Sequence, residues 1–106
     1  MKISQNLISE IVKRILSVSE PQRIILFGSA ALDNMTIDSD IDVLLIESNT
    51  GDTRKKSVCI REALRGLGYP FDVLVMTNER FEESKNVIGG IAYPANKYGK
   101  VIYEAA

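Results

Sequence analysis

Five residues in this chain have the types and spacing to hold phosphate and a divalent metal. Leu26-Phe27-Gly28-Ser29 ends in a small-residue turn, and after ten further residues Asp40-Ile41-Asp42 opens the apolar run Val43-Leu44-Leu45-Ile46. A third carboxylate, Asp72, stands in Phe71-Asp72-Val73-Leu74-Val75. Side chains two apart on a strand share a face, so Asp40 and Asp42 aim at one place while Ile41 and Val43 point inward. If the strand bearing Asp72 lies alongside, three carboxylates form an oxygen-rich pocket of the kind Mg²⁺ prefers. Gly28 allows close approach of the backbone, and Ser29 offers a hydroxyl and N–H groups at a helix start, a cradle for phosphate. The corresponding chemistry is metal-assisted nucleotidyl transfer, with an acceptor hydroxyl attacking in line and pyrophosphate leaving. Asp40, Asp42 and Asp72 are the expected metal ligands, and Asp72 is also the candidate base.

Three negative charges about 5 Å apart repel by about 3 kcal/mol per pair at an effective dielectric near 20, which protonation or a cation must relieve. No Lys or Arg occurs between Arg23 and Arg54, whereas Asp33, Asp38, Asp40, Asp42, Glu47 and Asp52 all do. Bound metal is the natural counter-charge, and a basic residue folding back from elsewhere is the other source.

The elements that must position these groups follow from periodicity. Residues 3 to 18 place Leu7, Ile8, Ile11, Val12, Ile15 and Leu16 at helical spacing. Ser19-Glu20-Pro21 breaks this helix, and Arg23 to Phe27 reads as a buried strand running into Gly28. Ser29 to Leu32 is predicted as a short helix capped by Ser29 and stopped near Asp33-Asn34. Ile41 to Ile46 is a second strand, Ser48 to Asp52 a loop, and Thr53 to Leu67 a helix ended by Gly66 and Gly68. Phe71 to Met76 is a third strand, a short acidic helix capped by Asn78 follows, and Val101 to Tyr103 is a fourth strand on an edge. This alternation predicts an α/β (α+β) fold, a small mixed sheet of about four strands with helices mainly on one face.

The 106 residues are expected to form a single domain spanning residues 1–106. With 13 basic and 14 acidic residues the net charge is -1, which disfavours tight, sequence-independent nucleic-acid binding. Apolar stretches of only about five residues and the lack of a signal-peptide pattern point to a cytoplasmic protein with no membrane association. One cysteine excludes an internal disulfide, and the absence of histidine excludes His-based triads and most zinc chemistry.

Gly28-Ser29, ten residues, Asp40-x-Asp42 and a later strand Asp72 resemble the minimal nucleotidyltransferases of the DNA polymerase beta superfamily. The tail, Ile91-Ala92-Tyr93-Pro94-Ala95 followed by Gly99-Lys100-Val101-Ile102-Tyr103, is similar to that family's end, so the likeness covers nearly the whole chain. It implies a nucleotidyltransferase fold, with Gly28 and Ser29 binding nucleotide. It also implies an antitoxin paired with a small helical HEPN-domain ribonuclease toxin, silencing it by transfer of AMP from ATP to a toxin tyrosine. The sequence departs from the family at Ala30, Leu32 and Asp33, where two basic residues and a glycine are common, and nucleotide binding is expected to be weaker for it.

A second reading is therefore a binding module that kept the fold, lost turnover and neutralises its partner by forming a complex. A third is transfer onto a small molecule such as an aminoglycoside, which in a chain this short requires a homodimer to build the acceptor pocket. Other residues are read as structural. Asp38 and Ser39 are turn and capping residues, Glu47 marks the exit of its strand into solvent, and Arg54-Lys55-Lys56 is a solvated face. Cys59 is read as a buried small hydrophobe, and Tyr93 and Tyr98 as packing beneath the last strand.

Overall fold

The computed structural model describes residues 3–32, 35–36, 38–48 and 51–105. The expected stop at Asp33-Asn34 and the departure at Asp33 lie outside the described residues, as do Asn49 and Thr50 of the expected loop. The chain runs through α1 (Gln5–Leu16), β1 (Arg23–Phe27), a single 3-10 turn (Gly28–Ala30) and β2 (Ile41–Glu47). It continues through α2 (Thr53–Ala63), β3 (Phe71–Thr77), α3 (Asn78–Ser84), α4 (Ala92–Tyr98) and β4 (Lys100–Glu104). The strands form one mixed sheet in the order β3-β2-β1-β4, with β1 antiparallel to both β2 and β4 and β2 parallel to β3. The parallel pair requires a crossover, and α2 provides it.

Burial explains why both faces of the sheet are covered. β1 and β2 are apolar at nearly every position instead of alternating, the pattern of strands buried on two sides. Ile24, Leu26, Ile41, Val43 and Leu45 pack beneath Ile8, Ile11 and Ile15 of α1, Ile60 of α2 and Leu64 just after it. Ile25, Leu44 and Ile46 face the other way, against Phe81 of α3 and Ala92 and Ala95 of α4. The two longer helices thus share one face, as expected, and two seven-residue helices complete the other.

Local chemistry sets the helix ends. Ser4 caps α1 by accepting from the Leu7 N–H at 3.1 Å, and Asp52 caps α2 by accepting from Lys55 N–H at 3.1 Å. α3 is capped by Thr77, which accepts from Arg80 N–H, and not by Asn78. α2 stops at Ala63, short of Leu67, because Gly66 and Gly68 adopt φ of +94° and +90°. The Arg14 guanidinium donates to the carbonyl of Arg65 at 2.7 Å and of Ala63 at 3.4 Å, satisfying the freed helix end.

Four expectations about single residues are corrected. Glu47 does not exit into solvent: it shares the face of Ile41, Val43 and Leu45, is 5% exposed, and accepts from Lys56 Nζ at 2.7 Å and Ser19 Oγ at 3.2 Å. Lys56 therefore leaves the solvated basic face, while Arg54 and Lys55 remain on it. Cys59 is exposed, because Ile60 and Leu64, four apart, take the buried stripe of that segment. Tyr98 is 52% exposed, and it and Tyr93 gather around Lys97.

Candidate active site

The turn and the carboxylates meet where β1 ends and β2 and β3 begin. In the antiparallel pair Phe27 stands opposite Asp42, and in the parallel pair Asp42 stands beside Asp72. Register across adjacent strands keeps side chains on one face, and here it is the face of Leu44 and Ile46, shared with α3 and α4. The expected neighbourhood of β2 and β3 is thus realised. A backbone bond from the Ile41 N–H to the Pro70 carbonyl, 2.9 Å, fixes the two strand starts level with each other. Upstream, the Ser39 hydroxyl accepts from Thr36 N–H at 2.9 Å while Ser39 N–H donates to the Thr36 carbonyl at 3.1 Å. This turn, with Asp38 exposed in it, delivers Asp40 one residue before β2.

Gly28 is held at φ +65°, and a β-carbon there would collide with Oδ2 of Asp42. The backbone of the turn therefore lies directly against the Asp42 carboxylate, which is possible only without a side chain at 28. Ser29 is half-buried next to it. It does not act as the expected cap, since the 3-10 turn begins at Gly28 and no side chain caps it. Ala30 turns inward and is 3% exposed.

Asp42 is half-buried between exposed Asp40 and Asp72. Burial, then the charge of Asp72, then that of Asp40 push its carboxyl above the ordinary range. Asp42 thus feels the charge of both neighbours, and none of the ion pairs among the described residues includes any of the three carboxylates. No group of three or more such side chains among the described residues is gathered as a ready-made metal cage. A divalent cation suits the chemistry of these donors: they are hard carboxylate oxygens, and no ion pair among the described residues offsets their repulsion.

Residues 6–93 match the nucleotidyltransferase domain family. The chain belongs to that family. No curated protein matches this sequence. Among solved structures, a toxin–antitoxin with AMP-PNP is similar at 20% identity and a TM-score of 0.67, covering 92% of this chain and 73% of that one. A mutant of the toxin–antitoxin MntA-HpeT is similar at 18% identity and a TM-score of 0.70, with the same coverage of 92% and 73%. The tri-AMPylated Shewanella oneidensis HEPN toxin in complex with MNT antitoxin is similar at 19% identity and 0.66, covering 97% and 74%. At these identities the likeness is one of fold. No helix among the described residues of this nucleotidyltransferase is long and apolar enough to cross a membrane.

What sequence alone did not reveal at the site is the close approach of Gly28 to Asp42. The spacing of the motif carries no sign of it, because it depends on the strand pairing of Phe27 with Asp42.

Proposed function

We propose that this nucleotidyltransferase is an antitoxin that transfers AMP from ATP, with Mg²⁺, to a hydroxyl of a partner protein, a HEPN-domain toxin. The observation that carries the reading is the register of Phe27, Asp42 and Asp72 across three strands, with Gly28 pressed against Asp42. The similar folds in a toxin–antitoxin with AMP-PNP and in a complex with a tri-AMPylated HEPN toxin support the choice of nucleotide and partner.

Asp40, Asp42 and Asp72 would hold the metal, which when bound supplies charge neutralisation at the α-phosphate and the leaving group. The Gly28–Ala30 turn would bind the distal phosphates through backbone N–H groups and the Ser29 hydroxyl. Asp72, at the exposed edge strand, has access to an incoming hydroxyl and takes its proton. The acceptor oxygen forms a bond to the α-phosphorus, the bond from that phosphorus to the bridging oxygen breaks, and pyrophosphate leaves with its electron pair.

One observation favours the binding-module reading: Ala30 is turned into the core and Leu32 is apolar and exposed, so neither places a cation beside the turn. Incubating the protein with labelled ATP, Mg²⁺ and its partner separates the two. Transfer of label that disappears in Asp40→Ala with Asp42→Ala supports the enzyme. Neutralisation of the partner that survives the double substitution, in a stable stoichiometric complex without label, supports the binding module instead.

A further inference from the structure

The sheet has two edges, and the sequence treats them differently. β4 carries Lys100 and Glu104 at its ends, and its pairing with β1 is broken by a register shift at Ile24 and Ile25. Charges and irregularities of this kind keep an edge from pairing further. β3, the opposite edge, is seven residues long and pairs with β2 without a break. It contains no proline, and its single charge is Asp72. Neither device guards β3.

The backbone groups that this edge offers follow from the ladder. In a sheet, successive residues of a strand turn N–H and C=O alternately to one side and the other. The bond from Ile41 N–H to the Pro70 carbonyl, with Ile41 opposite Phe71, sets the phase. Asp72, Leu74 and Met76 therefore address β2, and Phe71, Val73, Val75 and Thr77 turn their N–H and C=O outward. Among the described residues no other strand meets them, β3 being the last in the sheet. A groove of about 430 Å³ runs along this edge, because its lining comes from both faces of the strand: Leu74 and Met76 on the α3 side, Val75 and Thr53 on the α2 side. Arg80 and Ile91, both exposed, complete it. None of the ion pairs among the described residues includes Arg80.

The strand is complementary to itself. The outward residues are placed symmetrically about Leu74, and antiparallel pairing sets outward residues opposite one another. A second β3 laid antiparallel with Leu74 on the two-fold axis puts Phe71 opposite Thr77 and Val73 opposite Val75, so the whole strand pairs. Sliding the two copies shortens the overlap, and sliding them toward the strand start brings Asp72 against Asp72. In the centred register Asp72 of one copy lies opposite Met76 of the other, beside which Arg80 lines the groove. Opposite charges thus meet at each end of the paired edge. We propose that β3 is a self-association surface, on which two copies of this chain pair β3 to β3 about a two-fold axis through Leu74 and form one continuous sheet. The backbone bonds and the apolar groove supply the affinity. The exposed Asp72 and Arg80 set the register and add little energy. Side chains stand perpendicular to a sheet, so a strand added in its plane leaves the Asp72 carboxylate open.

Sedimentation velocity of the full chain over a range of concentrations, together with a site-specific cross-link, tests it. The wild type is expected to sediment as a concentration-dependent dimer. Val75→Pro removes an outward donor and spares the β2 ladder, since an edge strand tolerates proline where its N–H faces away. It is expected to weaken the dimer about tenfold or more. In the centred register Leu74 faces its own copy in a non-hydrogen-bonded pair with Cα atoms about 4.5 Å apart, within the span of a disulfide. Leu74→Cys, combined with Cys59→Ser to remove the exposed native thiol, is therefore expected to give a covalent dimer on oxidation with diamide. Val101→Cys on the β4 edge, exposed and in the same background, is expected to stay monomeric under that treatment. A wild type that remains monomeric at every concentration, including one that pairs β3 only with a different protein, overturns the proposal. So does a dimer unaffected by Val75→Pro, or a Leu74→Cys chain that cross-links no faster than Val101→Cys. Thermal melts show whether Val75→Pro is folded; if it is not, the cysteine variants decide the outcome. No step uses nucleotide, so failure of the dimer leaves the transfer reading standing, and failure of transfer leaves the dimer standing.

Discussion

Replacing Asp42 by Asn is expected to stabilise the metal-free protein while abolishing nucleotidyl transfer. Asp42 and Asp72 sit on adjacent strands in register, a spacing of about 5 Å, where two like charges repel by about 3 kcal/mol at an effective dielectric near 20. Asp72 is exposed and Asp42 only half-buried, so solvent screening reduces this to about 1 kcal/mol. Burial of Asp42 acts in the same direction. For a chain of this size a gain of about 1 kcal/mol raises Tm by about 4–8 °C. The folded-state pKa of Asp42 is raised, so its protonated form favours the folded state. The resulting stabilisation is fully present below the ordinary value of 3.8 and lost as pH rises through the folded value. The advantage of the Asn variant should accordingly be full at pH 7 and vanish near pH 3. Mg²⁺ should reverse the ranking, because a ligand at ten times its Kd adds about 1.4 kcal/mol to a protein that binds it and nothing to one that does not. Melting curves in EDTA and in MgCl₂ across this pH range give the answer. An Asn variant that melts at or below the wild type in EDTA at pH 7, or an advantage that persists unchanged at pH 3, would refute the claim that the carboxylates are held together under mutual repulsion.

Three further outcomes are expected. Gly28→Ala places a β-carbon against the Asp42 carboxylate at φ +65°; it should cost about 1–2 kcal/mol in a urea melt and lose ATP binding, because Asp42 must swing aside. Lys56→Met leaves Glu47, with a side chain 7% exposed, without its 2.7 Å partner; a loss of about 1–3 kcal/mol is expected, with ATP affinity unchanged because the pair lies at the far end of β2. Phe81→Ala empties the fully buried position under α3 and removes the ring 4.9 Å from the Arg23 guanidinium; chemical denaturation should show a loss of about 3–5 kcal/mol.

Much of this molecule can be read from its residues. The runs Arg23–Phe27, Ile41–Ile46 and Phe71–Met76 announce themselves as strands because they are apolar and β-branched, and the structure extends the last two by one residue each, to Glu47 and Thr77. The motif of Gly28, Ser29, Asp40 and Asp42 is local, so strand periodicity is enough to predict its two aspartates on one face, although Asp40 comes one residue before the strand itself. Asp72 is different. Nothing local joins it to Asp42; the crossover through α2 and the bond from Ile41 to Pro70 bring them side by side. Glu47 and Cys59 show the same limit from the other direction. A strand-end glutamate and a cysteine near an apolar stripe are ambiguous in one dimension, and their burial depends on which helix lies over them. Residue type and periodicity thus determined the strands and the acidic motif. Only the tertiary structure decided the register of Asp42 with Asp72 and the contact of Gly28 with Asp42, because each depends on contacts between segments far apart in the chain.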